Sequence, residues 1–178
     1  MASKNRKQLP YFERIPIEER PPFVFQERDL EVLKVVMTYR VVDSEIISAL
    51  ISGGNWGITQ RLTKLYHWEF LSRPKDQIVL RIQQKHRHLI YTLDSEGVRC
   101  LVNELGLPRD KIRSHLKEPH HQFLEHSLMV SRLHACFELA IEHRDDLEFI
   151  NLAAAEDGEH SVFWRQDTGL NTRVRIET

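Results

Sequence analysis

The sequence predicts a mainly α fold with a small β wing, followed by a long helix and the start of an α/β or β segment. Three observations carry that prediction. Between Gln26 and Asp94, three stretches with apolar residues at helical spacing are followed by two stretches in which apolar and polar residues alternate. From His120 to His143, apolar residues occupy nearly the whole circumference of a helix. Lysine and arginine concentrate in the first of these regions, and acids in the C-terminal half of the chain.

The first helix is read from QERDLEVLKVVMTYR, where Leu30, Leu33, Val36 and Met37 recur on one face. A second follows from Asp43, a capping residue, through Glu45 and the apolar face of Ile46, Ile47, Leu50 and Ile51. Ser52-Gly53-Gly54-Asn55 breaks it. In the third, Ile58, Leu62, Leu65 and Tyr66 form the apolar stripe, and Thr59, Gln60, Thr63, Lys64 and His67 gather on the other side. Ile78, Leu80 and Ile82, then Leu89, Tyr91 and Leu93, alternate with polar residues and predict two strands joined by a QQKHRH tip. Trp56, Trp68 and Phe70, bracketing the third helix, are read as core aromatics. Asp94 caps a fourth helix through Val98, Leu101, Val102 and Leu105, closed by Gly106 and Pro108. The expected organisation is an extended arm over 1–25, a winged helix-turn-helix over 26–106, a linker over 107–118 and a second, truncated domain over 119–178.

A winged helix-turn-helix points to double-stranded DNA. Its third helix enters the major groove, where base edges are read by donors and acceptors of moderate length. Thr59, Gln60, Arg61, Thr63, Lys64 and His67 are the candidates there. A wing lies along the backbone and needs positive charge to displace counterions. Arg73, Lys75, Arg81, Lys85, His86 and Arg87 are the candidates for phosphate contact, and His88 shares a strand face with His86. The near-neutral total of −1 hides this segregation: residues 55–90 hold seven Lys/Arg against two acids, while residues 91–178 hold ten against sixteen. A field confined to one region suits steering to DNA. Lys4, Arg6 and Lys7 form a further basic cluster in the proline-rich arm, read as a disordered end or a backbone contact.

The long segment contains Phe123, Leu124, Leu128, Met129, Val130, Leu133, Ala135 and Phe137 among its apolar residues. A helix apolar all round needs cover on more than one side. An identical helix in a homodimer, or strands over Leu147 to Leu152, Ser161 to Arg165 and Thr172 to Ile176, would supply it. His126 is expected to pack this helix against the winged domain. The last strand has no closing element after it, so the chain is read as the front part of a longer protein.

No apolar run approaches the roughly 20 residues of a membrane span, and the first residues hold no apolar signal region. Cys100 and Cys136 stand alone, as reduced thiols of a cytoplasmic protein would. Ten histidines invite a metal, but their spacing completes no four-ligand set, and neither metal nor cofactor is expected. A nuclease-like continuation is the competing reading. Glu125, Asp145, Asp146, Glu148, Glu156, Asp157 and Glu159 supply carboxylates for it, but residues 145–178 lack the lysine such sites use, so no catalysis is expected. A protein-interaction role, with the acidic C-terminal half docking a basic partner, is compatible with DNA binding.

The arrangement resembles the replication-relaxation family of plasmid and mobile-element proteins. The resemblance rests on ERDLEVLKVV (27–36), the V-D-S-E-I opening of helix two, and R-L-T-K-L-Y-x-x-x-F-L from Arg61 to Leu71. It continues in Leu89-Ile90-Tyr91-Thr92-Leu93 followed by Ser95-Glu96-Gly97, and above all in LEHSLMVSRLHACFELA from Leu124 to Ala140. Gln26 departs from a capping Thr or Ser and Ser131-Arg132 from Asn-Asp, which weakens the first cap and any role of that polar pair but leaves the DNA-reading surface intact. The resemblance implies a replication, DNA-relaxation or mobilisation accessory factor working beside a relaxase or replication protein. A transcriptional repressor uses the same groove geometry and is the alternative.

Overall fold

The computed structural model describes residues 10–51, 55–83, 87–106, 112, 116, 121–142, 147–149, 161–165 and 171–175. Helix α1 spans Glu27–Tyr39 and buries Val32, Leu33, Val36 and Tyr39. Gln26 precedes it without a hydroxyl or carboxylate cap, yet the start is closed from the other side. Its backbone N–H donates to the Asp29 carboxylate at 2.7 Å, and Asp29 N–H donates back to the Gln26 carbonyl at 2.9 Å. The expected weakness of this cap is therefore offset by the residue three positions on.

Strand β1, Val42–Asp43, leads directly into α2, Ser44–Leu50, where the Asp43 carboxylate accepts from the N–H groups of Glu45 at 3.1 Å and Ile46 at 2.9 Å. This is the predicted cap. Helix α3, Asn55–His67, buries the predicted stripe of Ile58, Leu62, Leu65 and Tyr66. The expected break at Ser52-Gly53-Gly54 lies outside the described residues, and Asn55 opens α3 rather than ending the loop.

Strands β2, Leu71–Ser72, and β3, Ile90–Leu93, are antiparallel, and the sheet order is β1-β3-β2. Val42 faces Tyr91 and Leu71 faces Leu93. Three helices closed by this small sheet give the predicted mainly α fold with a β wing.

One predicted strand is corrected. Residues Gln77–Gln83 form a helix, α4, in place of the strand read from Ile78, Leu80 and Ile82. The burial explains why: Gln77 and Leu80 are enclosed, at i and i+3, while Ile78, Val79 and Ile82 are exposed. The Gln77 side-chain amide donates to the Ile90 carbonyl at 3.0 Å and accepts from Ile90 N–H at 2.8 Å. One side chain thus supplies the edge pairing to β3 that a strand backbone would have given, and the segment is released to coil. The expected tip residues Lys85 and His86 lie outside the described residues.

Helix α5, Ser95–Leu105, starts at Asp94, whose carboxylate accepts from Ser95 N–H at 2.6 Å, and ends at Gly106 with φ +63°. Both ends match expectation. Helix α6, His121–Ile141, returns to the bundle through Leu124, Leu128, Ser131 and Ala135. The Ser131 hydroxyl lies 3.1 Å from the Tyr39 carbonyl, Arg132 pairs with buried Asp43 at 2.7 Å, and the Tyr39 hydroxyl donates to Glu138. Burial first, then the Glu138 carboxylate, holds the Tyr39 phenol above its ordinary pKa. The Ser131-Arg132 pair, whose role was expected to be weakened by its departure from Asn-Asp, thus joins α6 to the winged core. His126 does not pack there: it is exposed on α6. Strands β4, Leu147–Phe149, β5, Ser161–Arg165, and β6, Asn171–Arg175, form a second antiparallel sheet in that order, at the predicted places.

Candidate nucleic-acid interface

Helix α3 presents its first half and covers its second. Thr59 and Gln60 are exposed, and Thr63, half-buried, donates to the Thr59 carbonyl at 3.1 Å. From Arg61 onward the outward side is lined by residues 11–25, which hold an extended course with a single 3-10 turn at Ile17–Glu19. The expected arm is extended but not free. Its backbone carbonyls serve as acceptors for α3 and its continuation: Arg61 donates to Val24 at 2.6 Å, Lys64 to Pro22 at 3.3 Å and Trp68 Nε1 to Pro21 at 3.0 Å. Phe23 stacks on Trp68 with centroids 5.9 Å apart, and Phe25 stacks on Phe70 at 5.3 Å. Proline suits such a strap, since it has no N–H to satisfy while its carbonyl remains available.

Two predicted contact residues are corrected by their burial. His67 is fully buried, with its Nδ1 accepting from Ile15 N–H at 3.5 Å. Arg73 is 3% exposed and donates to the Tyr11 carbonyl at 2.8 Å, Thr63 Oγ1 at 3.1 Å and the Tyr91 hydroxyl at 3.2 Å. Its guanidinium lies over the Tyr66 ring, 4.3 Å from the centroid. Neither reaches a groove in this conformation. Arg61 is also spoken for: it forms a bidentate pair with the buried Asp29 carboxylate and lies over Phe23 at 4.6 Å.

The remaining predicted cations sit differently. Lys75 and Arg87 are exposed, and half-buried Arg81, on α4, donates to the Arg87 carbonyl at 3.3 Å. His88 lies 3.6 Å from Glu45. The residues missed from sequence are those of the strap, chiefly Arg14 and Arg20. Arg14 donates to the carbonyls of Tyr66 at 3.1 Å and Leu71 at 3.3 Å and pairs with Asp94, and Arg20 pairs with Glu69 at 2.7 Å. Phe23 and Phe25 among the prolines were the available signal, because aromatics in an apparent linker indicate something to pack on.

Burial, then the charges of Arg73, Arg20 and Arg14, hold the His67 imidazole down to about 4. Its folded pKa lies below the unfolded value, so the unfolded chain takes up the proton first. The contribution to stability is complete above about 6.5 and is lost as pH falls toward 4. Urea unfolding of His67→Gln should therefore show a flatter pH profile across that window than the parent. Equal slopes for the two proteins would contradict this assignment.

Among the described residues no group of three or more His, Cys, Asp or Glu is placed to hold a metal ion, and no helix is long and apolar enough to cross a membrane.

Three helices closed by a β1-β3-β2 sheet, with Thr59 and Gln60 exposed on α3 and a helical connection between β2 and β3, define a class of mainly α protein with a small β wing. Within that class the chain belongs to the replication-relaxation family, whose model matches residues 33–173. This gives it a replication-related role on plasmids and mobile elements. Comparisons with curated proteins and with solved structures return no match.

Proposed function

We propose that the protein binds double-stranded DNA with the first half of α3 in the major groove, as an accessory factor in plasmid or mobile-element replication, DNA relaxation or mobilisation. The observation that carries the reading is the division of α3. Thr59 and Gln60 stand exposed on its N-terminal half, the part a recognition helix presents to base edges. The other half is braced by the strap, which fixes the angle of the helix. Lys75, Arg81 and Arg87, with Lys85 beside them in sequence, supply the phosphate-facing charge. No catalytic step is assigned to these residues.

Footprinting on the chain's own replicon tests the role, since a replication or transfer origin fits it and a promoter would favour repression instead. Binding should also depend steeply on salt, each neutralised phosphate contributing about −0.9 to the slope of log affinity against log salt. Lys75→Ala and Arg87→Ala should each lower cognate and random affinity together and flatten that slope by about one unit. Affinity that is unchanged between low and moderate salt would exclude the reading.

A further inference from the structure

The side of α6 turned away from the winged core is apolar and exposed. Phe123 and Met129 are each 63% exposed, Leu133 57%, Phe137 41% and Val130 38%. At about 100° per residue, Leu124, Leu128, Ser131 and Ala135 point into the core. Phe123, His126, Val130, Leu133, Phe137 and Ala140 run down the opposite side. Their spacing alternates between three and four residues throughout, which is a heptad seam.

Charge on α6 is distributed in the reverse sense to a helix that faces water. Its Asp, Glu, Lys and Arg residues are Glu125, Arg132 and Glu138, and all lie within about 100° of the packed direction. Arg132 and Glu138 are held by Asp43 and Tyr39 of the core. The positions flanking the seam are Ser127, Met129, His134, Cys136 and Ile141, without a formal charge among them except through histidine. A partner recognised by opposite charge has nothing to grip here. An identical seam meets no repulsion.

We infer that this seam docks a second copy of the chain, antiparallel, across a two-fold axis passing between Val130 and Leu133. In that register Phe123 meets Ala140, Val130 meets Leu133 and His126 meets Phe137, so large side chains face small or flat ones. The parallel register instead sets Phe123 on Phe123 and His126 on His126. The inference is independent of DNA binding, and its test contains no DNA.

Sedimentation of the whole chain should show mass rising with concentration toward twice that of the monomer. Leu133→Glu should weaken this association by about 30-fold or more, as removal of a central interface anchor does. Its circular dichroism and thermal melting should match the parent, because Leu133 faces away from the core. The antiparallel register sets position 129 against Cys136 of the other copy, so Met129→Cys should yield an oxidised dimer that Cys136→Ser abolishes. A parent that remains monomeric at its highest soluble concentration overturns the inference, and so does a Leu133→Glu variant that still dimerises. A monomeric parent with a destabilised Leu133→Glu variant would show that the chain's own C-terminal residues cover the seam. A Met129→Cys crosslink insensitive to Cys136→Ser would overturn the antiparallel register.

Discussion

Replacing Gly97 with alanine destabilises the winged domain by about 3 kcal/mol or more, the upper range for forcing extra volume into a packed interior. A Cβ at this position would stand 2.2 Å from the Phe70 carbonyl oxygen, 3.2 Å from the Phe70 carbonyl carbon and 3.3 Å from Leu33 Cδ2. The obstacle is backbone, and it is held from both sides. Phe70 N–H donates to the Leu65 carbonyl at 3.0 Å, and the Phe70 carbonyl accepts from Asp94 N–H at 3.1 Å. For α5 to move aside, the cap at Asp94 and the β2 edge must move with it. This gives a physical reason for glycine in the Ser95-Glu96-Gly97 motif: the Phe70 carbonyl, in the turn after α3, occupies the place of a Cβ. Urea unfolding measures the effect, and a loss within 1 kcal/mol would mean that α5 slides without penalty.

Asp29→Ala is expected to cost about 3–5 kcal/mol, the range for removing one partner of a buried charge pair. The Asp29 side chain is fully buried and does two jobs, closing the start of α1 at Gln26 and taking the bidentate grip of Arg61 from α3. Its loss leaves a largely buried guanidinium over Phe23 with the Val24 carbonyl as its remaining hydrogen-bond acceptor among the described residues. The pairing argument makes a further demand. In the background of Arg61→Met the same substitution should cost less than half as much, because the stranded cation is gone. Equal costs in both backgrounds, measured by denaturant midpoint, would show that Asp29 acts through the helix cap alone.

The helices α1, α2, α3 and α5 were legible because each carries its own apolar stripe and, at Asp43 and Asp94, its own cap, and α6 was legible from its apolar circumference. Of the strands of the second sheet, the last was legible from its alternation. Segment 77–83 was misread because Ile78, Leu80 and Ile82 satisfy a two-residue period by coincidence, while the residue that decides the matter, Gln77, is polar. A buried glutamine that imitates a peptide group leaves no signature in a hydropathy pattern. Strands β1 and β2, at two residues each, are too short to show a period. The candidate interface was legible only in part. Gln60 and Thr59 lie where helical periodicity put them, but periodicity cannot report that a distant segment covers a polar stripe. His67 and Arg73 were lost to the strap for that reason, and its anchors Arg14 and Arg20 were invisible because their partners are mainly backbone carbonyls and acids about fifty or more residues away.

Gln60 carries the central claim, since it is exposed on the half of α3 assigned to base reading and takes no part in the core. The decisive measurement is the affinity of Gln60→Ala for the footprinted duplex and for random duplex at one salt concentration. The account predicts a loss of about 1–3 kcal/mol on the footprinted site with almost none on random DNA. Equal losses on both, or no loss on either, would contradict it and move sequence choice from α3 to the wing or to DNA shape.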